Sequence, residues 1–186
     1  MKVLEEFMEH LCGEFTNEEQ IKAEEKEGKV KHPIARHING ICNDKIKNLP
    51  EDFNGYFVIE ESYYTMGTFK NTLPHLFLFT VNSENKVVLT SYDIPKEISK
   101  EDFRNNNKNI ILEYTKLEVS KKFTPMVYEK IENGFKGESI SNFTESTRFE
   151  LRETITNEAM YVSEAFFNND KMTFGFIQPI IYKIVT

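Results

Sequence analysis

Leu4, Phe7, Met8 and Leu11 recur at i, i+3, i+4 and i+7, the spacing that places four apolar side chains on one face of a helix. Gly13, two residues further on, predicts its stop. Thr16-Asn17-Glu18-Glu19 then reads as a capping box, in which the Thr16 hydroxyl accepts the Glu19 amide and the Glu19 carboxylate reaches back. A second helix is therefore expected from Asn17 through a charged, solvated stretch to Lys26, ended by Gly28.

After Pro33 the period shortens. Brief apolar or aromatic runs alternate with Asn, Asp, Gly and Pro, and predict strands at residues 34–40, 55–64, 73–81, 86–92, 110–117, 125–131, 135–140, 148–155, 160–167, 172–177 and 180–185. Asn133-Gly134 is the clearest turn between them and predicts type I′ geometry, with φ > 0 at both residues. Residues 95–108 break the β texture and read as one helical turn around Ser99–Phe103 followed by a polar loop. Strands joined by short loops, without intervening long helices, imply an antiparallel sheet or barrel. The expected class is mainly β, an antiparallel barrel behind short N-terminal helices, in one domain over 1–186.

Composition sharpens this. Sixteen Phe and eight Tyr against no Trp weight a 39% hydrophobic share toward rings, which suit half-buried strands and ligand pockets. The net charge of −7, with no basic stripe, argues against a nucleic-acid partner and against an anionic membrane surface. No run reaches the roughly 20 apolar residues of a spanning helix. Lys2, Glu5 and Glu6 bring charge too early for a signal peptide, so a cytoplasmic location is expected. Cys12 and Cys42 lack any CxxC spacing, and the histidines at 10, 32, 37 and 75 are scattered, so neither a disulfide framework nor a metal site is indicated.

Three segments invite chemistry. Phe15 and Gln20 are left unexplained by a helix stop and restart. In Tyr56-Phe57-Val58-Ile59-Glu60-Glu61-Ser62-Tyr63-Tyr64, neighbouring side chains point to opposite faces, so only one of Glu60 and Glu61 can face an interior. An inward carboxylate needs hydrogen bonds or a cationic ligand group. Gly137, inside a strand, suggests a bulge or a close backbone approach.

Leu11-Cys12-Gly13-Glu14-Phe15-Thr16-Asn17-Glu18-Glu19-Gln20 resembles the L-x-G-x-F-S-N-x-x-Q opening of the CpeT/CpcT family of phycobiliprotein chromophore lyases. His32-Pro33 followed by His37, the Tyr56–Tyr63 strand, Pro74, Tyr92 and Phe135-Lys136-Gly137 are similar in order to later landmarks of that family. The resemblance implies a calyx-like, lipocalin-style barrel that handles a linear tetrapyrrole (bilin), with His37, Tyr56, Glu60, Glu61, Tyr63 and His75 as ligand-binding residues. Where the family carries Arg in a PYRxR strand, this chain reads Pro74-His75-Leu76-Phe77-Leu78, and it has no Cys beyond residue 42. The expectation is a divergent member whose barrel binds a small hydrophobic or tetrapyrrole-like ligand without needing catalysis. The alternatives are a bilin lyase acting on a partner's cysteine, and a homodimeric interaction module whose barrel is filled with Phe and Tyr.

Overall fold

The computed structural model describes residues 2–185. In chain order they form α1 (Lys2–Leu11), β1 (Gly13–Thr16), α2 (Glu18–Lys26), β2 (Ile34–Ile41), β3 (Ile46–Lys47), β4 (Tyr56–Met66), β5 (Phe69–Val81) and β6 (Val87–Tyr92). There follow β7 (Leu112–Glu113), β8 (Met126–Ile131), β9 (Gly134–Asn142), β10 (Thr147–Thr156), β11 (Met160–Asn168) and β12 (Lys171–Ile184). Ten of these strands close an antiparallel, calyx-like barrel in the order β1-β12-β11-β10-β9-β8-β6-β5-β4-β2. Each strand lies beside its sequence neighbours in the barrel, so the sheet is an up-and-down meander with no free edge. Among the described residues no helix is long and apolar enough to cross a membrane.

The period-2 pattern sets two faces. Val58, Phe79, Val87, Leu89, Met126, Tyr128, Phe135, Ile155, Met160, Val162, Ile180 and Tyr182 share one core with Leu4, Phe7, Met8 and Leu11 of α1. The amphipathic face of α1 thus plugs one end of the barrel. Phe7 makes the plug tight, with ring centroids 5.2 Å from Phe79, 4.6 Å from Tyr128 and 5.1 Å from Phe135.

A second core lies outside the barrel. Phe57, Ile59, Leu76 and Leu78 point away from the interior and meet Cys42, Ile46, Phe103, Ile110 and Leu112. The excursion between β6 and β8 therefore packs on the outer face of β4 and β5, and both faces of those strands are buried. Asn105 latches it: its Nδ2 donates to the Ile59 carbonyl at 3.0 Å and to Glu61 at 2.8 Å. A Cβ on Gly40 would sit 2.2 Å from the Asn105 Oδ1, so glycine is what lets the latch close.

The structure departs from several sequence expectations. Residues 110–117 form only the two-residue β7, paired in parallel with β3, and a 3₁₀ turn. Ile110 and Leu112 of this segment are buried in the outer core. Residues 99–103, by contrast, form the single turn expected there, with Phe103 N–H returning to the Ser99 carbonyl at 3.0 Å. The predicted strands at 172–177 and 180–185 are one strand, β12, because Pro179 interrupts the pattern without breaking the chain direction. The hairpin at Asn133-Gly134 forms, but Gly134 at φ +151° already begins β9 and Asn133 is not left-handed, so the turn is not type I′.

The capping box is absent. Thr16 ends β1, and Asn17 is the N-cap without any side-chain bond to the helix. The Asn17 amide turns instead to the next strand, donating to the Pro33 carbonyl at 2.8 Å and accepting Ala35 N–H at 2.8 Å. Closing the barrel, with β1 wedged between β2 and β12, outweighs a local cap.

Candidate functional site

On the far side of the α1 plug the barrel interior is hollow. The cavity measures about 270 Å3. Its outer wall is aromatic: Phe149 and Phe166 lie 4.7 Å apart by ring centroid, Phe123 sits 5.9 Å from Phe149, and Phe174 sits 6.3 Å from Phe166. Further in, Glu60 of β4, Glu153 of β10 and Glu164 of β11 join His37 and His75 in the lining. No Lys or Arg lines the cavity among the described residues.

Each interior carboxyl has a hydroxyl beside it. Ser62 Oγ donates to Glu60 at 3.0 Å, and the Tyr128 hydroxyl donates to Glu153. Tyr64 stands near Glu164 and lowers its pKa against the effect of burial. Gly137 makes the Tyr128 contact possible, because a Cβ there would stand 2.9 Å from the ring. The close approach expected at Gly137 is thus a tyrosine crossing its face.

Burial dominates the titration of this layer. It raises Glu60 to about 8, with the charges of Glu153 and Glu164 adding to the effect. It raises Glu153 to about 7, against the pull of the Tyr128 hydroxyl, and raises Glu164 as well. Burial pushes His37 down to about 3 and His75 down to about 4, assisted by His75 and Lys100 respectively. Three carboxyls sharing one desolvated space cannot all ionise cheaply, and the neighbouring imidazoles stay neutral.

His37 stands out within the set. Its Nε2 meets the Tyr182 hydroxyl at 3.0 Å and the Tyr64 hydroxyl at 3.2 Å. The residue is only 4% exposed, yet its Nδ1 has no partner.

Of the residues singled out from the sequence, the structure brings His37, Glu60 and His75 together in the cavity. Tyr56 packs against the core at the plugged end. Glu61 and Tyr63 face outward, as strand alternation requires once Glu60 points in. Glu61 is 3% exposed beneath the outer excursion, where it accepts from Tyr63, from Asn105 N–H at 2.8 Å and pairs with Arg104 at 3.7 Å. It fastens the latch and does not reach the interior. Glu153 and Glu164 escaped the sequence reading. Their signal is a charge at an inward position of an otherwise apolar alternation: Phe149-Leu151-Glu153-Ile155 and Met160-Val162-Glu164-Phe166.

Gln20 and Phe15 find structural roles. Phe15 fills the plugged core, and Gln20 pairs with the backbone of β12, accepting Ile181 N–H at 2.9 Å and donating to the Pro179 carbonyl at 3.1 Å. His32 is tied to Glu24 and to the Gln178 carbonyl. Burial pushes the Cys12 thiol up to about 11 and that of Cys42 up to about 12. Among the described residues no group of three or more His, Cys, Asp or Glu is arranged to hold a metal ion. Compared with known proteins, the chain matches no family model, no curated protein and no solved structure.

Proposed function

We propose that the barrel is a carrier for one small, mostly apolar molecule held in its interior. The observation that carries this reading is the hollow of about 270 Å3, walled by phenylalanines and floored by a few converging polar groups. Such a lining is the usual composition of a small-molecule site, and the volume stands just under the roughly 300–1,000 Å3 of drug-sized pockets. With sixteen Phe available, the interior could have been packed solid, and it is not. Cys12 and Cys42 are held protonated at neutral pH, so neither is poised to attack a bound molecule.

A linear tetrapyrrole, the ligand implied by the chromophore-lyase resemblance, enters as a competing probe. Its propionates would meet three carboxyls and no Lys or Arg, so the lining favours a ligand without carboxylates. The test titrates the chain with N-phenyl-1-naphthylamine, a neutral apolar fluorophore, and in parallel with biliverdin, and examines fresh protein by native mass spectrometry. Saturable emission at one probe per chain, or a co-purified small molecule, is expected. No saturation by either probe together with no bound mass would overturn the reading in favour of a closed interaction module.

A further inference from the structure

We propose that the cavity selects a primary amine, bound with its ammonium group among Glu60, Glu153, Glu164 and the unpartnered Nδ1 of His37, and with its apolar body against the phenylalanine wall. This deepens the carrier reading and rests on it.

The lining is one-sided in its chemistry. Among the described residues its charged groups are all acidic, with no Lys or Arg beside them. Natural interiors seldom keep carboxyls without a matching cation, because each ionised one is costly when desolvated. Here three converge on one space from β4, β10 and β11, where alternation would place apolar residues. The Ser62 and Tyr128 hydroxyls each supply one donor, whereas a carboxylate can accept about four. The layer is thus rich in acceptors and short of donors. His37 adds an independent sign: it is 4% exposed, it lines the cavity, and its Nδ1 makes no hydrogen bond. A buried polar atom left unmatched calls for a partner. An ammonium group brings three donors and the missing charge at once.

Proton linkage gives the proposal its signature. The titratable groups facing the site are His37 on β2, Glu60 and Tyr64 on β4, His75 on β5, Tyr128 on β8, Glu153 on β10, Glu164 on β11 and Tyr182 on β12. Lys100, from the outer excursion, acts on His75 alone. Near neutral pH the histidines and tyrosines are uncharged, and Glu60 and Glu153 hold protons in part. An incoming ammonium ion favours the ionised carboxylate, so a carboxyl loses its proton to buffer as the ion pair forms. The ligand's own proton stays on nitrogen, since an alkylamine, like the Lys side chain near about 10.4, remains charged through pH 8.5. Affinity for the amine therefore rises between pH 6 and 8.5.

The test compares tryptamine, its neutral analogue tryptophol and the anionic indole-3-propionate. The chain has no Trp, so indole emission reports the ligand alone. Tryptamine is expected to bind at least about tenfold tighter than tryptophol at pH 8, as a charge-assisted buried bond implies. Indole-3-propionate is expected to be the weakest. Calorimetry in phosphate and in HEPES, neither of which carries a primary amine, should show protons released with tryptamine at pH 7 and none with tryptophol. In Glu60→Gln/Glu153→Gln the tenfold preference for tryptamine over tryptophol and the proton release should vanish, with far-UV circular dichroism confirming the barrel. Equal or tighter tryptophol binding would overturn the amine inference and leave the carrier reading standing. N-phenyl-1-naphthylamine binding without any tryptamine binding does the same. Failure of all these probes removes both.

Discussion

The interior carboxyls and histidines give the folded chain a distinctive dependence on pH, which E60Q/E153Q isolates. Glu60 and Glu153 titrate at about 8 and about 7, against 4.5 ordinarily. Between pH 4.5 and those values the folded chain holds protons that the unfolded chain has released, so stability falls as pH rises. His37 and His75 act in the opposite sense. At about 3 and about 4 against 6.5, they leave the unfolded chain with the extra protons below pH 6.5, and stability there rises with pH. From pH 4.5 to 6.5 the raised carboxyls, Glu164 among them, oppose the two histidines, and the net slope there is shallow. Above 6.5 only the carboxyls remain, with about 1.5 pH units of titration left to Glu60 and about 0.5 to Glu153. Together these are worth about 3 kcal/mol. Water admitted to the cavity screens the pair, so this is a ceiling. At an m-value of roughly 2 kcal/mol/M it corresponds to a urea midpoint lower by up to about 1.5 M at pH 8.5 than at pH 6.5. E60Q/E153Q should lose most of that fall, and should also gain stability from pH 4.5 to 6.5, where the two histidines now face Glu164 alone. Far-UV circular dichroism in urea at the three pH values reads all of this. A wild-type midpoint unchanged above pH 6.5, or one that drops equally in the variant, would refute the reasoning.

The outer latch and the plug respond differently from the cavity. Glu61→Ala strips the Asn105 amide and Arg104 of their buried partner and should cost about 3 kcal/mol in urea unfolding, with N-phenyl-1-naphthylamine affinity unchanged. Phe7→Ala removes the ring shared by Phe79, Tyr128 and Phe135 and should cost about 3–5 kcal/mol, read as a lower melting temperature. Gly137→Ala drives a methyl to 2.9 Å from the Tyr128 ring, which must move away from Glu153. A loss of about 1–3 kcal/mol is expected, together with a tyrosine ultraviolet difference spectrum; unchanged tyrosine absorption would mean that the ring had not moved.

The sequence made the meander legible because alternation was strong wherever a strand had one wet face. It failed in the excursion between β6 and β8, which packs on the barrel's outer face. Residues 110–117 look like a strand by apolar content, but Ile110 and Leu112 serve the outer core, and only Leu112 and Glu113 pair with a neighbour. Local rules also lost to closure: Thr16 and Asn17 are ideal capping residues, yet both are used by β1 and β2.

The same conflict explains why the most distinctive stretch of the chain did not locate the site. Leu11 and Phe15 fill the plug, Gly13 takes φ +145° against Ile184, Asn17 pins β2, and Gln20 supplies the hydrogen bonds that β12 lacks beside Pro179. Every one of them lies on the seam where β1 joins β2 to β12. A barrel of ten strands has one place where first and last meet, and there the pairing cannot be set by a short hairpin. Side chains must fix it, so unusual residues gather at that seam for reasons of closure. The ligand site is set elsewhere, by single departures from alternation on β4, β10 and β11 that are individually unremarkable. They acquire meaning only once the closed sheet brings Glu60, Glu153 and Glu164 to face one another.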